Sequence, residues 1–438
     1  MSAMNAMGTL WRLAAQSAWN RRFVLSLVAL SIALSTIALF GMARVKQDVR
    51  ETFSESVSGT DLIVGARTGP VQLLLYSVFR IGSATNNIGW SSVQALSRLP
   101  AVAWVVPISL GDSHRGFPVV ATSSGYFEHF RYGDALPLTL AQGRAFRDAA
   151  EADPTQPHTD IFGAVLGAEV AAALGYRLGD ALVLSHGDGA LAANDHADKP
   201  FRVIGILART GTPVDRSVHI TLAGMEAIHL DWVAGAPLPG MAVAADDVGR
   251  HDLTPRQVTA ALVGLKQRSA VFAVQRKVNA FGAEPLLAVL PGVALDELWD
   301  AVALGERGLQ LMSGLVALVS LTGLVAVIWA GLNERRRELA ILRAVGAGPR
   351  HVLALLALEG MAITLIGVAA GTLLSLATVY LAGPWVQAHY GLRLSAAPPR
   401  PDEWRLLLVV LGCGWLASLL PGLRAYALSL SDGLSPRT

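Results

Sequence analysis

The stretch that decides how this chain is organised is residues 333–350, which read Asn-Glu-Arg-Arg-Arg-Glu-Leu-Ala-Ile-Leu-Arg-Ala-Val-Gly-Ala-Gly-Pro-Arg. It lies between two apolar runs, Leu309–Leu332 and Val352–Leu381, each long enough to cross a bilayer. Five arginines fall within it, and short arginine-rich loops stay on the cytoplasmic side of a membrane. The sequence therefore predicts a cytoplasmic loop between two membrane spans.

The first part of this loop has the periodicity of an amphipathic helix. Leu339, Leu342 and Val345 recur every three residues, and charged side chains fill the other face. The Gly-Ala-Gly-Pro sequence at residues 346–349 then ends the helix, since glycine and proline commonly follow a helix C-terminus. We expect a short helix lying under the membrane and hinged to the next span.

The charges of this helix allow two interpretations. Its arginines could serve only to fix topology and to contact anionic lipid headgroups. Alternatively, the helix could dock a cytoplasmic partner. Glu334 and Glu338 favour docking, because acidic side chains gain nothing at an anionic lipid surface. The residue types alone leave both interpretations open.

Composition indicates a membrane protein with a large soluble part. Of the 438 residues, 53% are hydrophobic and only 16% are charged. Residues 44–305 carry 21 basic and 26 acidic side chains, whereas the remainder carries 14 basic and 7 acidic ones. The single cysteine, Cys413, lies in an apolar run, so no disulfide framework is expected. This charge distribution suits a membrane-inserted chain and gives no indication of nucleic-acid binding.

Four apolar runs predict a polytopic α-helical membrane protein with four transmembrane helices and a large α+β extracytoplasmic domain inserted between helices 1 and 2. The predicted segments are a cytoplasmic interfacial helix (1–22), the first span (23–43), the extracytoplasmic domain (44–305), the second span (309–332), the cytoplasmic helix and turn (333–350), the third span (352–381), an outer loop (383–404), the fourth span (406–423) and a cytoplasmic tail (424–438).

Short patterns predict individual elements within the extracytoplasmic domain. Residues 102–108, 119–122, 182–185, 201–207 and 218–222 have the β-branched and apolar composition of strands. Ala164–Leu174 is predicted to be a helix that ends at Gly175, and Thr254–Gln267 a second helix. The loop Glu151–Thr159 is a predicted boundary between two lobes.

Motifs for catalysis are absent from the sequence. No Gly-x-x-x-x-Gly-Lys-Ser/Thr phosphate-binding loop occurs, so ATP hydrolysis would require a separate subunit. Peptidase and esterase motifs of the His-Glu-x-x-His and Gly-x-Ser-x-Gly types are also absent. Glu359 is an ionisable residue inside the third span, where we favour a structural role paired with Arg343 or Arg350 over a functional one.

Histidines and carboxylates are densest in residues 185–199. His186, Asp188, Asp195 and His196 are candidate metal ligands, because imidazole and carboxylate groups suit zinc. Their spacing matches no standard site, and the surrounding glycines and asparagine are typical of a flexible, solvated hairpin. A polar loop without a metal is therefore the competing interpretation.

The loop sequence also carries a family resemblance. Residues 334–347, Glu-Arg-Arg-Arg-Glu-Leu-Ala-Ile-Leu-Arg-Ala-Val-Gly-Ala, resemble the coupling helix of FtsX-like ABC permeases, the group that includes the MacB and LolC/LolE proteins. In that group the helix is seated on the ATPase subunit. Transferred residue by residue, the resemblance makes these positions ATPase-coupling residues: Glu334, Arg335, Arg337, Glu338, Leu339, Leu342, Arg343 and Gly346. Three further pieces resemble the MacB-like extracytoplasmic core domain: Tyr126–Phe127 with Gln142–Phe146, Gly163–Asp180 and Phe201–Leu207.

The resemblance implies a non-catalytic permease subunit of the bacterial inner membrane, with cytoplasmic termini and a periplasmic domain. ATP and magnesium would be bound by a partner ATPase, and this chain itself would bind no cofactor. The implied partners are a cytoplasmic ABC ATPase, a second permease copy in a homo- or heterodimer, membrane lipid, and a periplasmic lipoprotein or adaptor. The implied work is extraction or export of lipoprotein, peptide or hydrophobic cargo. An FtsX-like regulatory role, or metal-related transport through the histidine-rich segment, is the alternative.

Overall fold

The structure is a computed structural model that describes residues 22–148, 160–187, 195–233, 236–237, 242–334, 347–390 and 392–431. The chain divides into two compact units, which we describe separately. The helical unit comprises Met1–Asp48, Ala303–Trp385 and Leu394–Thr438, and the α/β unit comprises Val49–Val302 and Val386–Arg393.

The α-helices of the described residues range from one turn to more than ten turns. They are α1 (Arg22–Glu55), α2 (Pro70–Leu74), α3 (Trp90–Ser97), α4 (Gly125–His129), α5 (Ala168–Leu174), α6 (Leu222–His229), α7 (Val271–Asn279), α8 (Pro291–Glu334), α9 (Pro349–Tyr390) and α10 (Pro401–Ser431).

The strands all belong to the α/β unit. They are β1 (Leu62–Ala66), β2 (Ile88–Gly89), β3 (Val102–His114), β4 (Phe117–Thr122), β5 (Arg131–Tyr132), β6 (Leu136–Pro137), β7 (Leu140–Gly143), β8 (Gly163–Leu166), β9 (Ala181–Leu182), β10 (Ser185–His186), β11 (Phe201–Leu207), β12 (Val218–Thr221), β13 (Trp232–Val233), β14 (Ala236–Pro237), β15 (Gln257–Val258), β16 (Ala260–Leu265) and β17 (Leu286–Val289).

One large mixed sheet organises the α/β unit. Its strand order is β17-β1-β16-β3-β4-β12-β8-β11-β7, with β10 added beside β3 and β9 beside β11. Most neighbours are antiparallel, but β12 runs parallel to β4 and β11 runs parallel to β8. Strands on both sides of residues 151–159 join this one sheet, so the described strands do not separate into two lobes there.

The sheet is covered on both faces, which explains why its inner strands are continuously apolar. All five residues of β1 are buried, and their side chains alternate between two hydrophobic clusters. Leu62 and Val64 belong to the cluster that also contains residues of α3, α5, α6 and α7, whereas Ile63 belongs to the cluster that contains residues of α2 and α4. A strand buried on both faces gains from apolar residues at every position rather than at alternate ones.

The helix predicted at Thr254–Gln267 is wrong. This segment forms β15 and β16, and β16 lies between β1 and β3 with five of its six residues buried. Its apolar run lacks the polar face that a surface helix needs, and two strand neighbours satisfy its backbone. Gly264 marks the close packing, because a side chain there would overlap the Trp104 ring. Tertiary contacts decide between strand and helix for such short apolar runs.

Most other local predictions agree with the structure. Strand β11 has the predicted bounds 201–207, and β3, β4 and β12 include or nearly match the predicted strands. The segment 164–174 begins as strand β8 and becomes helical only at α5. The helix ends as predicted at Gly175, whose φ of 72° is the left-handed conformation favoured at helix C-termini.

In the part of the chain that the structure describes, four helices are long and apolar enough to cross a membrane, as predicted. They are α1, α8, α9 and α10. The longest, α8 and α9, have 44 and 42 residues, or about 65 Å at 1.5 Å per residue, which is roughly twice the apolar thickness of a bilayer. Their apolar segments therefore occupy only part of their length.

His219 is a fully buried histidine between β4 and β8 in the α/β unit. Its Nδ1 lies 3.3 Å from the Val165 carbonyl oxygen, and its ring packs against Tyr126 with the centroids 5.3 Å apart. Burial, together with the positive charge of Arg80, lowers the pKa of His219 to about 3. The imidazole is consequently neutral in the folded protein at neutral pH.

This environment predicts acid sensitivity of the α/β unit. In the unfolded chain His219 takes up a proton near its ordinary pKa of about 6.5, whereas the folded state resists protonation until about pH 3. The contribution of His219 to the free energy of unfolding is therefore fully present above about pH 6.5. Below that pH it falls by about 1.4 kcal/mol per pH unit. We expect the stability difference between wild type and His219→Leu to shift by about 2 kcal/mol from pH 7 to pH 5.

Hydrogen exchange of the β12 amides in the full-length protein, corrected for the intrinsic pH dependence, measures this effect. The matched control is His251→Leu, because His251 is exposed and its loss should leave the pH dependence of wild type intact. Equal pH dependence in wild type and His219→Leu would contradict the prediction.

Candidate functional site

The predicted coupling segment lies at the junction of two long helices. Glu334 is the last residue of α8, and Pro349 is the first residue of α9. The remaining predicted coupling residues, from Arg335 to Gly346, lie outside the described residues. Just before α9, the Gly348 backbone N–H donates a hydrogen bond to His351 Nδ1 at 3.2 Å. This contact satisfies one of the backbone N–H groups that a helix start leaves without a partner in the helix. The coupling roles of these residues stay predictions.

Helix α9 packs closely on both of its neighbours in the helical unit. A Cβ at Gly371 would lie 2.5 Å from the Ala33 carbonyl oxygen of α1, and one at Gly367 would lie 2.8 Å from Ile32 Cβ. On the α10 side, Gly360 faces Ser418 with no room for a side chain. Glycines at such crossings let helix backbones approach in an apolar medium, where dispersion contacts replace the hydrophobic effect. The glycines of α9 therefore pack against other helices of the same chain.

Glu359 precedes one of these close contacts. The residue is only 4% exposed, which places its carboxyl group inside the helical unit rather than at its surface. Arg350, one of its two predicted partners, is exposed at the start of α9, and Arg343 lies outside the described residues. The buried position agrees with a structural role, while the predicted pairing stays a prediction.

Polar side chains also connect the first and second spans. Ser35 of α1 lies 2.6 Å from Ser320 of α8, and Ser31 lies 2.9 Å from the same hydroxyl. Hydroxyl hydrogen bonds between membrane helices each contribute about 0.6 kcal/mol. These three serines link the two helices that border the inserted α/β unit in sequence.

A charged group ties α1 to the segment that precedes α10. Arg44 is fully buried, donates to the Ala397 carbonyl oxygen at 2.5 Å and lies 3.8 Å from Glu403. One turn later, Asp48 pairs with Arg400 at 2.9 Å. Neither pair was predicted, because the partners are more than 350 residues apart in sequence. The contacts fix the chain between α9 and α10 against the end of α1.

The chemically richest site lies in the α/β unit, where four side chains converge. Asp112 comes from β3, His186 from β10, His196 follows the bridge between Ser185 and Asp195, and His229 ends α6. One ligand atom from each lies within 4.8 Å of the others. We call this group the histidine cluster.

Within the histidine cluster the closest distances join Asp112, His186 and His229. His186 Nδ1 is 3.0 Å from Asp112 Oδ1, and His229 Nε2 is 3.7 Å from the same oxygen. The two histidine nitrogens are 3.3 Å apart. The other ring nitrogen of His229, Nδ1, lies 2.8 Å from the Met225 carbonyl oxygen, which accepts a hydrogen bond from Nδ1–H and leaves Nε2 with a lone pair.

The pKa values of two histidines of the cluster are shifted in opposite directions. The hydrogen bond to Asp112 raises the pKa of His186. Burial, together with the neighbouring His229, lowers the pKa of His196 to about 4. His196 is therefore neutral at neutral pH, and its ring packs beside Trp232 with the centroids 4.3 Å apart.

A buried ion pair connects the two chain segments that carry His196 and His229. Lys199 is fully buried, and its Nζ lies 2.9 and 2.8 Å from the two oxygens of Asp231. Burial by itself would raise the pKa of Asp231, but the hydrogen bonds from Lys199 and from the Val243 amide outweigh it and lower that pKa. The pair anchors the segment carrying His196 to the end of the helix carrying His229.

Two of the four predicted ligands belong to the cluster. His186 and His196 converge, Asp188 lies outside the described residues, and the Asp195 carboxylate instead accepts a hydrogen bond from Ser185 at 2.5 Å. Sequence reasoning missed Asp112 and His229, which are 74 and 43 residues from His186. The predicted solvated hairpin also differs from the structure at its end, since His196 and Lys199 are both fully buried.

The fold and these sites define a class of protein: a polytopic membrane protein with a large α/β unit between its first two spans. A family model for the MacB-like periplasmic core domain matches residues 25–280, and one for the FtsX-like permease C-terminal region matches residues 311–430. The first alone matches more than half of the chain. The chain therefore belongs to the family of ABC transporter permeases with a MacB-like periplasmic core domain and an FtsX-like C-terminal region.

Similar proteins include two macrolide export ATP-binding/permease proteins MacB. That of Azoarcus sp. (strain BH72) is 24% identical over 412 residues, which cover 91% of this chain and 54% of the relative. That of Chromobacterium violaceum is 29% identical over 149 residues, covering 32% of this chain and 22% of the relative. The chain thus spans at most about half the length of these relatives.

Two solved structures align with part of the chain. The periplasmic region of MacB from Actinobacillus actinomycetemcomitans is 12% identical with a TM-score of 0.32, covering 56% of this chain and 94% of that one. The extracellular domain of the noncanonic ABC-type transporter YknZ from Gram-positive bacteria is 12% identical with a TM-score of 0.29, covering 52% of this chain and 99% of that one.

Proposed function

We propose that this chain is the membrane subunit of an ABC transporter in which a separate cytoplasmic ATPase drives movements of the α/β unit. One observation carries the proposal. The core-domain match is followed along the same chain by the FtsX-like match, and α1 and α8 each contribute residues to both units. Each of these helices is an unbroken hydrogen-bonded rod, and such a rod transmits displacement along its axis.

The proposed energy input is the coupling segment between α8 and α9. Nucleotide-driven closure of the ATPase would push on Leu339–Ala347, where α8 ends at Glu334 and α9 begins at Pro349. Because α9 packs against α1 through Gly367 and Gly371 without intervening side chains, a shift of α9 displaces α1 as well. The serine contacts between α1 and α8 keep the first two spans together during that movement.

ATP and magnesium are assigned to the partner and not to this chain. P-loop ATPases bind the phosphates of ATP with a Gly-x-x-x-x-Gly-Lys-Ser/Thr loop, and the 438 residues contain no such sequence. The chain contributes no catalytic residue in this proposal. A second permease copy, identical or homologous, completes an assembly with two ATPase subunits.

The proposed work is extraction or export of a lipoprotein, peptide or hydrophobic compound on the periplasmic side. The relatives that the chain resembles are named for macrolide export, which supports an export role. Few ionisable side chains lie within the apolar helices, and Glu359 is buried, so the spans offer little of the polar lining that a wide aqueous pore requires.

Charge reversal in the coupling segment tests the proposal. The tagged full-length chain, purified from its native membranes, should retain a cytoplasmic ATPase whose activity depends on the complex. The triple variant Glu334→Lys, Arg337→Glu, Glu338→Lys should lose at least ten-fold in ATPase recovery and in stimulated hydrolysis, because complementary charges become repulsive.

The matched control reverses a charge elsewhere on the helical unit. Arg405 is highly exposed near the start of α10, so Arg405→Glu should leave ATPase recovery unchanged. Unchanged binding and stimulation in the triple variant would overturn the proposal. Retained ATPase binding with no cargo transport, together with capture of a periplasmic enzyme, would favour the regulatory alternative instead.

A further inference from the structure

The histidine cluster contains buried polar atoms that no hydrogen bond within the described residues pairs. Among the described residues, both ring nitrogens of His196 and the Oδ2 atom of Asp112 are buried without a hydrogen-bond partner. His196 is fully buried and Asp112 is 5% exposed. Buried polar atoms are nearly always paired, because leaving one unpaired forfeits its interaction with water. Two such residues in one cluster therefore require an explanation.

We propose that Asp112, His186, His196 and His229 bind a single divalent transition-metal ion, for which Zn²⁺ is the best fit. Three nitrogen donors and one carboxylate oxygen form a ligand set of the type that Zn²⁺ takes in proteins. One bound ion would take one of the two unpaired ring nitrogens of His196, and the short distances to His186 and His229 make Asp112 Oδ1, next to the unpaired Oδ2, its oxygen ligand. This inference concerns the α/β unit and does not depend on the proposed transport function.

The ligand spacing fits tetrahedral coordination. Zinc bonds to nitrogen and oxygen of about 2.0–2.1 Å imply ligand atoms roughly 3.3 Å apart along each edge of the tetrahedron. The three distances among Asp112, His186 and His229 are 3.0, 3.3 and 3.7 Å. The fourth ligand, His196, has its closest ring nitrogen within the same 4.8 Å limit. Small side-chain rotations would complete the coordination.

The surroundings orient the ligands as they do in metal sites. The Met225 carbonyl oxygen lies 2.8 Å from His229 Nδ1 and fixes the tautomer in which Nε2 faces the cluster. Asp112 and His186 are direct partners in the pairing of β3 with β10, which fixes their separation. The buried Lys199–Asp231 pair and the Trp232 ring hold the His196 side.

A nearby histidine shows what a purely structural residue looks like in this unit. Both ring nitrogens of His114 are occupied, by the Val183 carbonyl oxygen at 2.6 Å and by the Tyr176 hydroxyl at 2.9 Å. His196 is also buried but has neither contact. Simple packing of a core histidine therefore explains His114 and leaves His196 unexplained.

Four protein ligands leave no open coordination position, so the ion would act as a cross-link rather than as a catalyst. It would join β3, β10, the segment after Asp195 and the end of α6. Asp112, the neighbouring His186 and His196, and His229 come from three parts of the chain that are distant in sequence and meet only in the folded unit. Binding should consequently slow local opening of the α6–β13 region.

Metal titration of the purified full-length protein tests the inference. After removal of metal with a chelator, we expect one Zn²⁺ per chain in competition with a chromogenic chelator. Co²⁺ should give the intense visible absorption of a tetrahedral site. His196→Ala and His229→Ala should each weaken Zn²⁺ binding at least 100-fold, and Zn²⁺ should slow hydrogen exchange of residues 222–233 at least ten-fold in wild type only.

The matched control is His251→Ala, because His251 is exposed and outside the cluster. It should bind Zn²⁺ like wild type. The milder His186→Asn variant keeps a hydrogen-bonding group beside Asp112, so it separates loss of a ligand from loss of folding. Absence of stoichiometric Zn²⁺ in wild type, or wild-type affinity in folded His196→Ala, would overturn the inference.

Discussion

Replacing Lys199 with methionine should destabilise the α/β unit by about 3–5 kcal/mol, the largest loss expected from any single substitution considered for this unit. The fully buried ammonium group is the main counter-charge of Asp231, at 2.9 and 2.8 Å. Its removal leaves a carboxylate that is 5% exposed with the Val243 amide as a remaining donor. Removing one partner of a buried ion pair is far more damaging than removing both.

Hydrogen exchange of α6 and β11 in the full-length protein measures this loss. A decrease of 3–5 kcal/mol corresponds to exchange faster by about two to nearly four orders of magnitude. Lys277→Met is the matched control, because Lys277 is exposed on α7 and should change stability by no more than about 0.5 kcal/mol. The double variant Lys199→Met, Asp231→Leu should recover most of the loss. Similar exchange in Lys199→Met and Lys277→Met would refute the expected role of the pair.

The second large effect is expected at Gly371 in the helical unit. A leucine there would place its Cβ 2.5 Å from the Ala33 carbonyl oxygen and 2.7 Å from Thr36 Cβ. Because the obstructing oxygen belongs to the backbone of α1, the two helices must separate. Overpacking of this kind costs about 3 kcal/mol, which would lower the unfolding temperature of the unit by on the order of 10 °C.

Thermal unfolding of the full-length protein in detergent checks this prediction. Gly323→Leu is the matched control, because Gly323 also lies within an apolar helix, and a Cβ at that position would meet no neighbouring group of the described residues within 4 Å. It should unfold close to the wild-type temperature. If Gly371→Leu and Gly323→Leu have the same unfolding temperature, the close contact between α9 and α1 does not stabilise the unit.

Both substitutions also bear on the proposed transport cycle in different ways. Gly371→Leu separates α9 from α1 and should uncouple the ATPase from the α/β unit even where folding survives. Lys199→Met acts within the α/β unit and should leave ATPase docking intact. Comparing stimulated ATP hydrolysis in the two variants, with ATPase recovery as the measure of docking, therefore separates coupling through the helices from stability of the α/β unit.

Local patterns in the sequence predicted much of the fold. Long apolar runs predicted the four candidate spans, since the free energy of burying a helix in lipid is a sum over its own residues. The β-branched run Phe201–Leu207 predicted the bounds of β11, and Gly175 predicted the end of α5. The run Thr254–Gln267 failed, because an apolar segment buried between two neighbours has no periodicity of its own.

The two candidate sites also differ in how much of each could be predicted from the sequence. The charges and spacing of residues 333–350 predicted a cytoplasmic amphipathic helix, because topology and helix amphipathicity depend on neighbouring residues, whereas its coupling role rests on the resemblance to FtsX-like permeases and stays a prediction. The histidine cluster was only half predicted. His186 and His196 are close in sequence, whereas Asp112 and His229 reach them through the pairing of β3 with β10 and the position of α6.

The sequence alone thus predicted the four candidate spans, the large α/β unit and the family, all of which follow from local composition and motif. Only the tertiary structure decided that β16 is a strand, that Gly371 contacts α1 and that four side chains form one cluster. These features depend on contacts between residues far apart in the chain, and the register of those contacts is set by packing of the whole unit rather than by any short segment.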